Sequence, residues 1–217
     1  SHESHNQEFL ITTPILFHSI VQSSICNLRS QMSDTLHQCK NLIFLTGFMG
    51  SGKSTIGPIL ANTLGYDFAD VDKLVEERVG KTVREIFQEE GEKFFREIER
   101  QVLQEVSRSD HHVISLGGGS VVDPNNFAVV KNSGILVYLQ SSPEQLLKRL
   151  LHKTDRPVLS DSEGQRLNPE QLRERVLQLY ADREPIYSQA HLTIYTDDKK
   201  VGMTVDEIVR KLSHLAR

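Results

Sequence analysis

The sequence predicts an α/β protein: a parallel β-sheet flanked by helices on both faces. Three observations carry this. From residue 40 onward, short apolar runs of four or five residues alternate with longer amphipathic segments. Repeated strand–helix units of this kind build parallel sheets, whose strands are covered on both faces and therefore lose the polar alternation of a half-exposed strand. A glycine-rich turn joins the first apolar run to the first helical one. Finally, 217 residues with 38% hydrophobic and 25% charged content suit one compact domain with a sizeable core.

The elements follow in order. Leu42-Ile43-Phe44-Leu45-Thr46 is a buried strand by its unbroken apolar run. A glycine turn leads to a helix over 53–64, where Ile56, Ile59, Leu60 and Leu64 recur at helical spacing. Residues 67–71 are a short extended segment with Asp70 and Asp72 at its end, and 73–79 is a helical run. Residues 83–90 lead into a second run at 92–106, carrying Phe94, Phe95, Ile98, Val102 and Val106. Residues 113–116 form a second core strand, stopped by Gly117-Gly118-Gly119. Residues 135–139 are a third, and 143–151 a helix with Pro143 in its first turn. Residues 155–169 are polar and turn-rich, the segment best suited to a mobile loop. An amphipathic helix at 170–183, a strand at 192–195 and a terminal helix at 205–215 complete the chain. Residues 1–40 lack amphipathic period and caps. They read as a poorly structured extension, partly of foreign origin, with Met32 near the natural start, ahead of a domain at 41–217.

Bulk properties exclude several classes. The formal net charge of −4 gives no electrostatic case for binding nucleic acid or an anionic membrane, so a polyanionic ligand must be held by individually placed Arg and Lys residues. The 2 cysteines, Cys26 and Cys39, make no disulfide framework or metal cluster, and the 9 histidines show no zinc-ligand spacing. Residues 9–25 are the nearest thing to a membrane span, but Pro14, His18, Gln22 and several Ser and Thr residues interrupt them. A cytoplasmic monomer is the expectation.

The turn Gly47-Phe48-Met49-Gly50-Ser51-Gly52-Lys53-Ser54 fits the phosphate-binding pattern G-x-x-x-x-G-K-[ST]. Its glycines permit positive φ and bring backbone N–H groups against anionic oxygens. Lys53 carries positive charge to the outer phosphates, and Ser54 offers a hydroxyl to Mg²⁺. The strand before it and the helix after it are the context this chemistry needs. The other candidates are individually weak. Asp70 and Asp72, read as two residues apart on one strand end, point the same way at the sheet edge where ligands bind; a surface turn is the plain alternative. Gly117-Gly118-Gly119 allows a ligand to approach the backbone, or is merely a loose turn. Arg96, Arg156 and Arg183 each have an ordinary reading as a solvated arginine.

Taken in order, these blocks resemble the shikimate kinases, small relatives of the nucleoside monophosphate kinases. The resemblance covers residues 41–217. It rests on the loop extended through Thr55-Ile56-Gly57, on Asp70-Val71-Asp72, and on Ile86-Phe87, Gly91-Glu92 and Phe95-Arg96-Glu97-Ile98-Glu99. It continues through Leu116-Gly117-Gly118-Gly119, Arg156-Pro157-Val158-Leu159 and Arg183-Glu184-Pro185-Ile186-Tyr187. It implies a P-loop, nucleoside-monophosphate-kinase-like fold with a mobile lid, and an enzyme that uses ATP to phosphorylate the 3-hydroxyl of shikimate on the route to chorismate and the aromatic amino acids. It also implies roles. Gly50, Ser51, Gly52, Lys53, Ser54 and Thr55 cradle the ATP phosphates. Ser54 ligates Mg²⁺, with Asp70 supporting it through water. Asp72 binds the shikimate hydroxyls and accepts the proton. Arg96 and Arg183 clamp the carboxylate, while Gly118 and Gly119 contact the ring. Arg156 descends from the lid onto the transferring phosphate, and Arg149 lies against adenine. Thr196-Asp197-Asp198-Lys199-Lys200 lacks the Asn-Pro pair of many members. Kinases of gluconate or of a nucleoside monophosphate are the nearest rivals; a GTP switch would show an Asn-Lys-x-Asp motif, and none appears.

Overall fold

The computed structural model describes residues 41–151 and 167–215. The extension at 1–40, Arg156 and most of the segment read as a lid lie outside the described residues. Five strands form one sheet: β1 (Leu42–Thr46), β2 (Asp67–Asp70), β3 (His112–Ser115), β4 (Ile135–Gln140) and β5 (Leu192–Tyr195). Their spatial order is β2-β3-β1-β4-β5, and every pairing is parallel. Strand β1 is central and wholly buried, with Leu42 beside His112 on one flank and Ile43 beside Ile135 on the other.

Eight helices connect and cover the strands among the described residues. They are α1 (Lys53–Leu64), α2 (Val71–Val79), α3 (Val83–Glu89), α4 (Gly91–Val106), α5 (Pro124–Ser133), α6 (Pro143–Leu150), α7 (Pro169–Tyr187) and α8 (Val201–His214). The two-residue period of the strands sorts the core into two layers. Leu42, Phe44, Ile114, Leu136 and Tyr138 face α2 through α7, meeting Val75, Phe95, Val176 and Tyr187. Ile43, Leu45, Val113, Val137 and Leu139 face α1 and α8, meeting Ile56, Leu60, Ile208 and Leu212. All five β carboxyl ends therefore open along one edge of the sheet, where the loops build the site.

Local chemistry fixes the helix starts. Thr82 and Asn168 each form a capping box, with Glu85 and Gln171 respectively. Asp123 caps α5 through the Asn125 and Asn126 amides, with Pro124 in the first turn. Four points of the sequence reading need correction. Helix α5 went unread, although Asp123-Pro124 was its start signal, because its apolar stripe is short. Helix α7 runs on to Tyr187 through Pro185, and α8 begins at Val201 rather than at residue 205. Most relevant to function, Asp70 and Asp72 do not share a strand end. Strand β2 stops at Asp70, which is the N-cap of α2, and Asp72 already lies in the first helical turn.

Candidate active site

The loop between β1 and α1 folds as its glycines require. Gly47, Gly50 and Gly52 adopt φ of 144°, 85° and 102°. At Gly47 a Cβ would lie 2.6 Å from the Leu139 carbonyl oxygen, so the loop can pass this close to β4 only without a side chain. Gly52 is the N-cap of α1 and supplies no side chain, so the helix N-terminus, with its inward-pointing N–H groups and positive dipole end, is presented to the cleft. Lys53 Nζ donates to the Gly47 carbonyl at 2.7 Å and to the Phe48 carbonyl at 3.3 Å, folding its ammonium back over the loop. Ser51 is buried within the loop. Here the geometry is a cradle for an anion.

That cradle forms one wall of a cleft of about 450 Å³. Gly50, Ser51, Gly52, Lys53, Ser54 and Thr55 line it, as do Asp70, Asp72, Gly118 and Arg149. Asp70 Oδ1 accepts the Asp72 amide at 3.0 Å and the Lys73 amide at 3.4 Å. The cap thus fixes the orientation of both carboxylates: Asp70 by its own bonds, Asp72 by the helical turn it starts.

A second group of charges surrounds the glycine run after β3. A Cβ at Gly117 would lie 2.6 Å from Asp72 Oδ1 and 3.0 Å from Glu99 Oε1. At Gly119 it would lie 2.6 Å from Arg96 Nη2. Gly117 and Gly119 are therefore glycine because three charged side chains pack onto their backbone, whereas a Cβ at Gly118 would meet Arg183 Nη1 at an ordinary 3.5 Å. Arg96 is held on two sides: Nη1 bonds Glu99 at 2.8 Å, while Nη2 and Nε bond Glu92 at 3.0 and 3.2 Å. Glu99 is fully buried, and its other oxygen accepts from the Ser120 hydroxyl. Burial alone would lower the Arg96 pKa, but Glu99 and Glu92 outweigh it, so the guanidinium is held charged more firmly than usual. Arg183, on α7, donates to the Gly118 carbonyl at 3.2 Å and stacks over Phe48 at 6.0 Å.

The far end of the cleft joins the β4 and β5 loops. Arg149 donates to the Gly50 carbonyl at 3.0 Å and reaches the Ser141 hydroxyl at 3.5 Å. Ser141 in turn donates to buried Asp197, which also accepts the Ser142 amide at 2.8 Å. Burial raises the Asp197 pKa, but these donors and Tyr195 outweigh it and hold the carboxyl below its ordinary range. Thr196, Lys199 and Thr204 complete this wall.

Most of the residues singled out in the sequence meet at one place. Gly118 lines the cleft, whereas Arg96, Gly119 and Arg183 border it through the glycine run; Arg156 lies outside the described residues. Sequence reasoning gave no role of their own to Glu99, Tyr187 and Asp197. Glu99 and Tyr187 had a signal: they lie three and four residues after Arg96 and Arg183, on the same helix faces. Asp197 had none, because its partners are about 55 residues away in sequence.

Comparison with known proteins identifies the family. The profile of the family described as "Shikimate kinase" matches residues 49–213. The shikimate kinase of Chlorobium luteolum is 50% identical over 184 residues, covering 85% of this chain and 91% of that protein. That of Prosthecochloris aestuarii is 49% identical over 177 residues, 82% and 90%. Among solved structures, shikimate kinase from Acinetobacter baumannii in complex with shikimate superposes with a TM-score of 0.72 at 33% identity, covering 80% of this chain and 93% of that one. A gluconokinase from Sinorhizobium meliloti, at 17% identity and a TM-score of 0.52, shares the fold alone. The chain belongs to the shikimate kinase family.

Proposed function

We infer that this chain transfers the γ-phosphoryl group of ATP to the 3-hydroxyl of shikimate, releasing ADP and shikimate 3-phosphate in the pathway to chorismate and the aromatic amino acids. One observation of the structure carries the reading: the Lys53 anion cradle opens into the same cleft as Asp72 and Gly118, with two arginines on the glycine run beside it. A phosphate donor and a carboxylated polyol acceptor are the two ligands such a cleft suits.

The roles follow from charge and placement. The amides of 50–55 and Lys53 bind the β- and γ-phosphates and stabilise charge on the transferring group. Arg149 and the Thr196 wall hold the base. Arg96 and Arg183 take the acceptor carboxylate, which planar guanidinium forks match in bidentate geometry. Glu92 and Glu99 fix Arg96 in advance of binding. Asp72 orients the 3-hydroxyl and takes its proton as the new P–O bond forms and the bond from the γ-phosphorus to the β,γ-bridging oxygen breaks. Gly118 and Gly119 let the ring lie against backbone. Arg156 meets the transferring phosphoryl group.

The donors present also fit Mg²⁺. Ser54 and Asp70 both line the cleft with hard oxygen ligands, and the Asp70 oxygen left over from the helix cap suits a metal-bound water. Among the described residues no group of three or more His, Cys, Asp or Glu could hold an ion alone, so the nucleotide phosphates and water supply the remaining ligands. When bound, the ion neutralises phosphate charge. No described helix is long and apolar enough to cross a membrane.

The test is ADP release measured in parallel with shikimate, quinate, gluconate and AMP. Shikimate should be turned over far faster than the others. A preference for gluconate or AMP would overturn the acceptor assignment while leaving the phosphate site intact.

A further inference from the structure

We propose that Tyr187 is a positioning residue for the acceptor site, its buried hydroxyl pre-setting the glycine turn against which shikimate lies. The proposal rests on the reading of Gly118 as an acceptor contact. Tyr187 is completely buried at the end of α7, and its hydroxyl donates to the Gly118 carbonyl oxygen. Arg183 stands one helical turn earlier and donates to the same oxygen at 3.2 Å. A carbonyl oxygen has two lone pairs, and these two donors use both.

The two donors are not equivalent. Arg183 is a charged side chain at the border of the cleft, and its guanidinium is drawn to an arriving carboxylate. Tyr187 cannot follow, because its ring is packed on Tyr138 at a centroid distance of 5.2 Å and an interplanar angle of 41°. It keeps the Gly118 oxygen bonded whether Arg183 faces the loop or the ligand. Gly117-Gly118-Gly119 lacks any side chain of its own to restrain it, and glycine loses the most conformational freedom on ordering. A fixed anchor on the middle peptide means that this entropy is lost on folding rather than at substrate binding. Burial pushes the Tyr187 pKa up to about 12 against the opposing pull of Arg183 and Arg96, so the hydroxyl remains a donor throughout the working pH range.

Tyr187→Phe deletes only the hydroxyl. The Gly118 oxygen then depends on Arg183, which must choose between the loop and the substrate carboxylate. The shikimate KM should rise about ten-fold, the worth of one buried hydrogen bond. The ATP KM and the turnover at saturating shikimate should stay within about two- to three-fold of wild type, since the phosphate cradle and the reacting groups are untouched. Tyr138→Phe is the control. It removes a hydroxyl from the same ring pair without touching Gly118, and it should leave the shikimate KM unchanged even if the melting temperature falls. Equal rises in both KM values, or a normal shikimate KM in folded Tyr187→Phe, would overturn the proposal.

Should the variant not fold, wild-type enzyme gives the same reading by amide hydrogen exchange. The Ser120 and Val122 amides, which donate to the Gly117 carbonyl at 3.1 Å and the Gly119 carbonyl at 3.0 Å, should be protected before shikimate is added and little more so afterwards. Protection that appears only with shikimate would show that the turn is ordered by the ligand and not by Tyr187. Wild-type turnover of shikimate is recorded alongside: its absence sinks the functional reading, whereas its presence with a normal Tyr187→Phe sinks only this proposal.

Discussion

Adding one methyl group at Gly119 should damage acceptor binding with little cost in stability. Gly119 has φ −106° and ψ −9°, a conformation open to alanine, so the backbone need not change. The new Cβ would stand 2.6 Å from Arg96 Nη2 and 3.0 Å from Nη1. To restore ordinary van der Waals separation the guanidinium must withdraw by about 0.8 Å. It cannot do so freely. Nη1 is bonded to fully buried Glu99 at 2.8 Å, and Nη2 to Glu92 at 3.0 Å, so at least one ion pair stretches or breaks. Misplacing a substrate-positioning group by roughly 1 Å costs on the order of a hundred-fold. The expected loss in kcat/KM for shikimate is therefore about 10- to 100-fold, or about 1.4–2.7 kcal/mol. The melting temperature should barely move, because the pair that gives way is the weak one to exposed Glu92 and Gly→Ala also restricts the unfolded chain, a gain of about 0.4–1 kcal/mol. Steady-state kinetics with shikimate and ATP varied separately make the measurement, with thermal unfolding as the control. A folded Gly119→Ala enzyme with wild-type shikimate kinetics would refute the argument that Arg96 must occupy its present position.

Other outcomes can be checked directly. Lys53→Ala should lower kcat by two or more orders of magnitude in a folded protein, since contacts to a transferring phosphoryl group are commonly worth roughly 3–4 kcal/mol; turnover near wild type would remove Lys53 from the chemistry. Activity should vanish in excess chelator and return with Mg²⁺ or Mn²⁺, and full activity without divalent metal would rule out the Ser54–Asp70 site. His191 should make folding sensitive to mild acid. Its Nδ1 accepts the Leu136 amide at 2.8 Å, and burial, helped by nearby Lys131, pushes its pKa down to about 4. A folded pKa below the unfolded value of 6.5 means that the unfolded chain takes up the proton first. The stabilisation is thus complete above pH 6.5 and is lost as pH falls toward 4, by about 1–3 kcal/mol in all once solvent screening of the partly exposed ring is counted. Urea unfolding between pH 7.5 and 4.5 should show this slope in the wild type and a flatter one in His191→Gln; identical slopes would discount the histidine.

The phosphate loop was legible in the sequence because its chemistry is local. Eight consecutive residues carry the glycines, the cation and the hydroxyl, and the flanking periodicities name the strand and the helix that hold them. The buried strands were equally plain, since an unbroken apolar run such as Leu42-Ile43-Phe44-Leu45 has no stable place but a covered sheet. The residues proposed for the acceptor were legible one by one and uninterpretable one by one. Arg96 is three residues from Glu99 and twenty-three from Gly119, and only the first of those distances can be read along a helix.

The sequence by itself therefore determined the layered α/β class, the anion cradle and, through the order of its blocks, the family. Tertiary structure alone decided that β3 enters the sheet between β2 and β1, which places Gly117 between the Asp72 and Glu99 carboxylates. It also decided that Asp70 is a helix cap rather than the partner of Asp72 on a strand, that Tyr187 reaches Gly118, and that Asp197 ties the β5 loop to Ser141. The physical reason is common to three of them; the Asp70 cap is instead local, reaching two and three residues along the chain. Backbone periodicity and capping act over three or four residues and leave their mark on the sequence. The closure of a loop about 45 to 70 residues long leaves none, because any donor and acceptor brought together by the packing of the layers will satisfy one another.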